Sequence, residues 1–281
     1  MLEETSKTDF KQEKRPETRL QQFFDIAKHR FLELVKLSLL QTVFNVPLFV
    51  SLIIFYALVR NATNINSLMT VFLIQGASFI ISLPFSYIGM TGTFHSMKLL
   101  AYAEGEFASS SFFYGLRDSW KKGLLIGLFM GLSATILLIG FFFAYFYLSE
   151  VNSSISGFAV AIITIQFIVM LIVSYYSLGQ ITIYENNLKY VYKNAFILTL
   201  MRFPINLLLV ILYPGIIIVL FCIMDITMCI GVLLAIFFAV FGHLIWMLNS
   251  ISAFDKFINR EKYPDYYHKG LYNKNNLVKE D

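Results

Sequence analysis

Apolar residues run through this chain in stretches of about twenty, the length of helix that crosses a hydrocarbon layer roughly 30 Å thick. Six such stretches predict six transmembrane helices. They lie at about Leu37 to Leu58, from Leu68 past Pro84 and Gly89 toward Lys98, at about Gly123 to Tyr147, from Phe158 to roughly Leu178, at about Phe203 to Phe221, and at about Met228 to Asn249. Asn45 and Pro47 interrupt the first run, and the second exceeds what a straight crossing needs, so a kink at Pro84 with the remainder lying near the surface is expected. In the fifth, Pro204 falls in the first turn, where a missing backbone donor costs little, and Pro214 falls where a kink is expected.

Between these runs the pattern changes to the period of helices that lie on a membrane surface. Leu20, Phe23, Phe24, Ala27, Phe31, Leu34 and Val35 share one helical face ahead of the first span. Phe112, Phe113, Leu116 and Trp120 share another beside Arg117, Lys121 and Lys122, capped by Ser109 to Ser111, and predict a second surface helix. A mixed stretch through Glu185, Asn186 and Lys193 reads as a third, with Glu185 and Lys189 at the spacing of a helical ion pair and Arg202 near the mouth of the fifth span. The expected fold is an all-α, polytopic transmembrane bundle with interfacial helices on its cytoplasmic side. It divides into a polar tail over residues 1–19, one membrane domain over 20–255 and a polar tail over 256–281, in which nothing demands a fold.

Composition agrees: 57% of residues are hydrophobic, 14% are charged and the mean hydropathy is +0.67, values a soluble domain does not reach. Of the 22 Lys and Arg residues, Arg60 alone falls on the side opposite both termini. Positive charge is retained on cytoplasmic flanks, so this asymmetry predicts cytoplasmic N and C termini. The net charge of +4 suits anionic lipid headgroups and, without a basic stripe interleaved with stacking aromatics, does not point to nucleic acid. The charged N terminus has neither the short apolar core nor the cleavage site of a secretory signal. Asn61 to Thr63 and Asn152 to Ser154 match the glycosylation triplet on the outer side.

Candidate chemistry is sparse. No span carries Asp, Glu, Lys or Arg near its centre, as ion-coupled carriers commonly do. His243, Gln75 and Gln166 are the candidates for an intramembrane polar site, each read against the alternative of bridging neighbouring helices. Gly123, Gly127 and Gly131, four apart, offer a side-chain-free face for close helix packing, with a pore or substrate lining as the alternative. Cys222 and Cys229 form neither a disulfide framework nor a zinc motif, no cofactor is implied, and none of the familiar hydrolase, metalloprotease or phosphate-loop patterns occurs.

The stretch from Arg30 to Pro47, Ser82-Leu83-Pro84 with Ile88-Gly89, Phe112 to Gly123, and Lys193-Asn194-Ala195 resemble, in order and spacing, the YesL-type family of small bacterial membrane proteins. The likeness covers most of residues 29 to 215. The chain departs from the family pattern in extra apolar material between Pro47 and Ser82, a long charged N-terminal tail and a Tyr-rich C-terminal one. The resemblance implies an all-helical fold in a bacterial plasma membrane and an association with carbohydrate uptake or breakdown, and it carries no catalytic residues across. The expected function is therefore that of a non-enzymatic accessory or regulatory membrane component that contacts lipids and another membrane protein such as a sugar-uptake system. The alternative is a small-solute transporter or permease working through kinked spans at Pro47, Pro84 and Pro214.

Overall fold

A backbone surrounded by apolar side chains has no water to bond to, and helices satisfy nearly all of its polar groups locally. The computed structural model, which describes residues 16–104, 108–215 and 225–271, is accordingly a helical bundle with no strand among the described residues. Its helices are α1 (Arg19–His29), α2 (Phe31–Asn61), α3 (Ile65–Ala101), α4 (Ala108–Phe142), α5 (Ser153–Ile183), α6 (Leu188–Met201), α7 (Phe203–Val210) and α8 (Asp225–Phe254). Wider π turns prolong three of them, at Phe143–Tyr147 after α4, Ile211–Gly215 after α7 and Asp255–Asn259 after α8. Two of these continue as short helical segments, Leu148–Val151 and Arg260–Lys262.

Four helices, Phe31–Asn61, Ile65–Ala101, Ser109–Val151 and Ser153–Ile183, are long and apolar enough to cross a membrane. A fifth crossing is counted if Leu188–Met201 and Phe203–Tyr213, bent by 93°, act as one span. The sixth expected span falls within α8, whose side chains are described from Ala239 onward, and the fifth is described only as far as Gly215. Cys222 and the side chain of Cys229 lie outside the described residues. Exposed Val43, Val50, Ile74, Ile81, Leu132, Ile136, Ile162 and Ile165 spread apolar surface over four helices, the opposite of a water-soluble exterior.

The turn at Ala62 to Asn64 and the break at Asn152 lie at one end of the bundle, and α1, the end of α3, the start of α6 and the end of α8 gather at the other. Both ends of the described chain therefore sit together. Each return is capped locally: Asn64 accepts from the Ser67 amide in a reciprocal capping pair, and Asn152 Oδ1 accepts from the amides of Ser154 and Ile155.

Several sequence expectations are corrected by packing. The helix does not turn onto a surface after Pro84: α3 runs unbroken for 37 residues, about 55 Å at 1.5 Å per residue, and its second half is buried. Phe112 to Trp120 form no separate surface helix but the opening turns of α4, with Phe112 fully buried against α3. The face read as continuous from Leu20 to Val35 is broken at Arg30; Gln22 and Ile26 turn inward while Leu20, Phe24 and Phe31 remain exposed. The mixed stretch divides, since α5 stays buried through Ile183 and only α6 is a surface helix. Glu185 falls in the loop before α6, so among the described residues no helical ion pair joins it to Lys189.

The long α3 and α4 pack along most of their length, and the glycine series explains how. A Cβ on Gly127 would stand 2.6 Å from Pro84 Cα, and one on Gly131 would stand 2.7 Å from the Phe79 carbonyl oxygen, so nothing larger than hydrogen fits. Thr135 Oγ1 adds a crosslink by donating to the Gly76 carbonyl at 2.7 Å. Closeness at the level of Pro84 also supports α3 where its missing amide would otherwise loosen it. Gly127→Ile is expected to lower detergent-solubilised stability by about 3 kcal/mol through overpacking. Gly157→Ile, at a position with nothing within 4 Å, is expected to leave it unchanged, as read by thermal unfolding of the two variants. Equal melting of both would contradict this packing.

Candidate functional site

The richest polar construction is at the end of the bundle where the chain's ends meet. Thr18 caps α1, and in the first turn Arg19 Nη2 donates to Asp255 Oδ2 at 2.9 Å, with both side chains about nine-tenths buried. Asp255 is in place because the π turn after α8 brings Asn259 against it, with Asn259 Nδ2 donating to Asp255 Oδ1 at 2.8 Å, and the Tyr184 hydroxyl bonds Asn259 Oδ1. Gln22 Nε2 donates to the carbonyls of Ala101 at 2.6 Å and Gly270 at 3.4 Å, tying α1 to the end of α3 and to the C-terminal segment.

The described part of that segment, as far as Leu271, packs onto the bundle, although its residue pattern demanded no fold. Gly270 has φ +82° and lies so close to the Ala101 carbonyl that any side chain would collide with it. Tyr266 stacks on Tyr102 with centroids 5.9 Å apart, and Lys269 sits over both rings at 5.5 and 5.3 Å while pairing with Glu104. Burial pushes the Tyr102 and Tyr184 hydroxyls well above the usual tyrosine range, so both remain neutral throughout the physiological range. Asp265, Tyr267 and His268 are exposed on the outer surface of this platform.

A second cluster lies where α6 meets α7. Asn206 Oδ1 accepts from the Tyr176 hydroxyl at 2.9 Å and from Asn249 Nδ2 at 3.1 Å, joining α7, α5 and α8 at one point. Arg202, at the bend, donates to the Asn249 carbonyl at 3.2 Å, and Asn206 Nδ2 donates to that of Thr199 at 3.3 Å. A third joins α2 to α3: Thr93 Oγ1 donates to Gln41 Oε1 at 2.8 Å, and Asn45 Oδ1 accepts from Ser86 Oγ at 2.6 Å and from Gln41 Nε2 at 3.2 Å. Amides within apolar helices thus serve as crosslinks.

The three candidate residues from the sequence are not brought together. Gln75 is buried on α3 and donates to Ser51 Oγ on α2 at 3.5 Å, a long bridge between helices. Gln166 is exposed on the outer face of α5. His243 is buried on α8 in an aromatic box, with the rings of Phe94, Tyr175 and Tyr213 at 5.8, 5.9 and 5.7 Å, and its Nδ1 has no hydrogen-bond partner among the described residues. Trp246 Nε1 and Ser250 Oγ on the same helix, and Ser177 Oγ and Gln180 Oε1 on α5, are likewise buried and unpartnered.

Sequence reasoning missed Arg19, Asp255, Asn206 and Asn249. The last two carried the signal that singled out Gln75 and Gln166, a lone amide in or at the edge of an apolar run; Asp255 was detectable only as the first acid after the final run. The architecture defines a helical bundle whose apolar helices fit a multi-pass membrane protein. A scan against protein-family models, a search of curated proteins and a search of solved structures each found no match.

Removing one partner of a buried ion pair leaves an uncompensated charge. Asp255→Ala is therefore expected to destabilise the protein by about 3 kcal/mol. Proteolysis should then cut the C-terminal segment sooner than in wild type, whereas Lys256→Ala, at an exposed neighbouring position, should change neither stability nor cleavage. A wild-type melting curve and cleavage rate for Asp255→Ala would remove the pair from its structural role.

Proposed function

We propose that the protein is a non-enzymatic accessory or regulatory component of a bacterial plasma membrane, with both termini cytoplasmic, that holds another membrane protein such as a sugar-uptake system. The observation that carries this reading is the platform itself. A buried ion pair, an aromatic stack and a glycine contact fix both ends of the described chain at one end of the bundle, and present Asp265, Tyr267 and His268 outward. Rigid aromatic and charged groups of this kind suit protein recognition. The distribution of Lys and Arg, with Arg60 alone on the other side, supports the cytoplasmic orientation of that end. The resemblance to the YesL-type family supports the bacterial plasma membrane and the link to carbohydrate uptake.

Affinity purification from native membranes at native expression, with mass spectrometry after mild detergent washing, tests the reading. Uptake-system subunits are expected at near-stoichiometric levels, and Tyr267→Ala is expected to reduce them severalfold without altering the protein's own abundance. Repeated recovery of the chain alone would overturn it.

A second reading, a small-solute transporter, is favoured by buried atoms of His243, Trp246, Ser250, Ser177 and Gln180 on α5 and α8 that have no partner among the described residues. Buried polar groups without partners are what a neutral solute would satisfy on binding. Solute flux in liposomes holding only this protein, lost in His243→Ala with normal folding, would favour this reading over the first.

A further inference from the structure

Between α6 and the prolonged end of α8 lies a cleft of about 390 Å³ lined by two kinds of side chain. The polar ones include the ammonium of Lys262 and the amides of Asn186 and Asn194, none of which bonds another described residue, and no carboxylate is among the described lining residues. The apolar ones include Ile197, Met201 and Phe257. Ile197 and Met201 are exposed on α6, so the apolar lining reaches the surface of the bundle.

The position of α6 gives this arrangement its meaning. The helix meets α7 at 93°, so with α7 directed across the membrane α6 lies along its surface. An amphipathic helix so placed sits at the boundary between headgroups and acyl chains. At that boundary the cation and the two free amide groups are within reach of a headgroup, and the apolar lining beside them is within reach of its chains. A neutral headgroup would gain nothing from Lys262, whereas a phosphate-bearing anion takes its charge and amide hydrogen bonds together.

We infer that this cleft binds a phosphate-bearing anionic group, and that the apolar lining selects the form carried on a lipid, an anionic phospholipid, over free phosphate. The cleft shares Tyr184 with the network beneath the platform but not the outward Asp265, Tyr267 and His268, and it does not depend on the partner-binding role.

The test uses the full chain, purified in mild detergent, stripped of lipid and titrated with phosphatidylglycerol, phosphatidylcholine or inorganic phosphate under native mass spectrometry. Phosphatidylglycerol is expected to bind in preference to phosphatidylcholine. Lys262→Gln, at an exposed position that folding does not require, is expected to weaken it about fivefold, the effect of one interfacial cation. Asn194→Leu should weaken it further, and Lys189→Gln, outside the cleft, should not. Failure of millimolar phosphate to displace the lipid would establish the lipid as the source; displacement, with phosphate bound alone, would retain the anion chemistry and overturn the choice of lipid. Equal binding of both lipids, unaffected by Lys262→Gln, would overturn the site.

Discussion

A charge removed from water must meet its opposite, and in this protein that requirement joins two helices 236 residues apart in sequence, where Arg19 meets Asp255. The contact requires α1 to fold back across the end of the bundle and α8 to finish in a π turn that aims the carboxylate inward. Once both are in place, Gln22 reaches the Ala101 carbonyl, Gly270 seats against the same residue, and the aromatic stack over Tyr102 forms. The arrangement fixes an architecture in which the chain leaves and returns at the same end.

Within the apolar layer the governing constraint differs, because lipid chains are as apolar as the helices they surround and the hydrophobic effect gives little reason for helices to associate there. Close packing and hydrogen bonding supply the reason instead. The glycines of α4 let it approach the backbone of α3, and amides or hydroxyls join the other helices at separate points: Gln41 and Asn45 between α2 and α3, Tyr87 and Ser174 between α3 and α5, and Asn206 and Asn249 between α7 and α8. These crosslinks make the bundle specific as well as stable, since a shift along a helix axis would leave several buried groups without partners.

How much of this was legible in the sequence follows from the range of each interaction. Apolar runs of membrane-crossing length and glycines at four-residue spacing are local signals, and they located the long helices and the packing face of α4 correctly. The ordering of Tyr263 to Leu271 was not legible, because its cause is the Ala101 carbonyl and a set of rings and charges far away in sequence. The amphipathic pattern from Phe112 to Trp120 was misread for the same reason. A face turned toward α3 and a face turned toward a membrane surface have the same period, and only the contact between Gly92 and Phe112 distinguishes them. Among the polar candidates, composition could identify an amide in an apolar run but not its partner. Asn206 and Asn249 are joined to Tyr176, Gln75 reaches Ser51, and Gln166 faces outward.

One end of the bundle collects α1, the start of α6 and the C-terminal segment, with the α2–α3 and α4–α5 returns opposite, and the proposed orientation places the first end on the cytoplasmic side. Single cysteines at Asp25, Glu185 and Asp265, and at Thr63 and Val151, placed in a chain whose Cys222 and Cys229 are replaced, test it by labelling intact cells with a membrane-impermeant maleimide. The account requires Thr63→Cys and Val151→Cys to react in intact cells and the other three only after permeabilisation; labelling of Asp25→Cys and Asp265→Cys from opposite sides would contradict it.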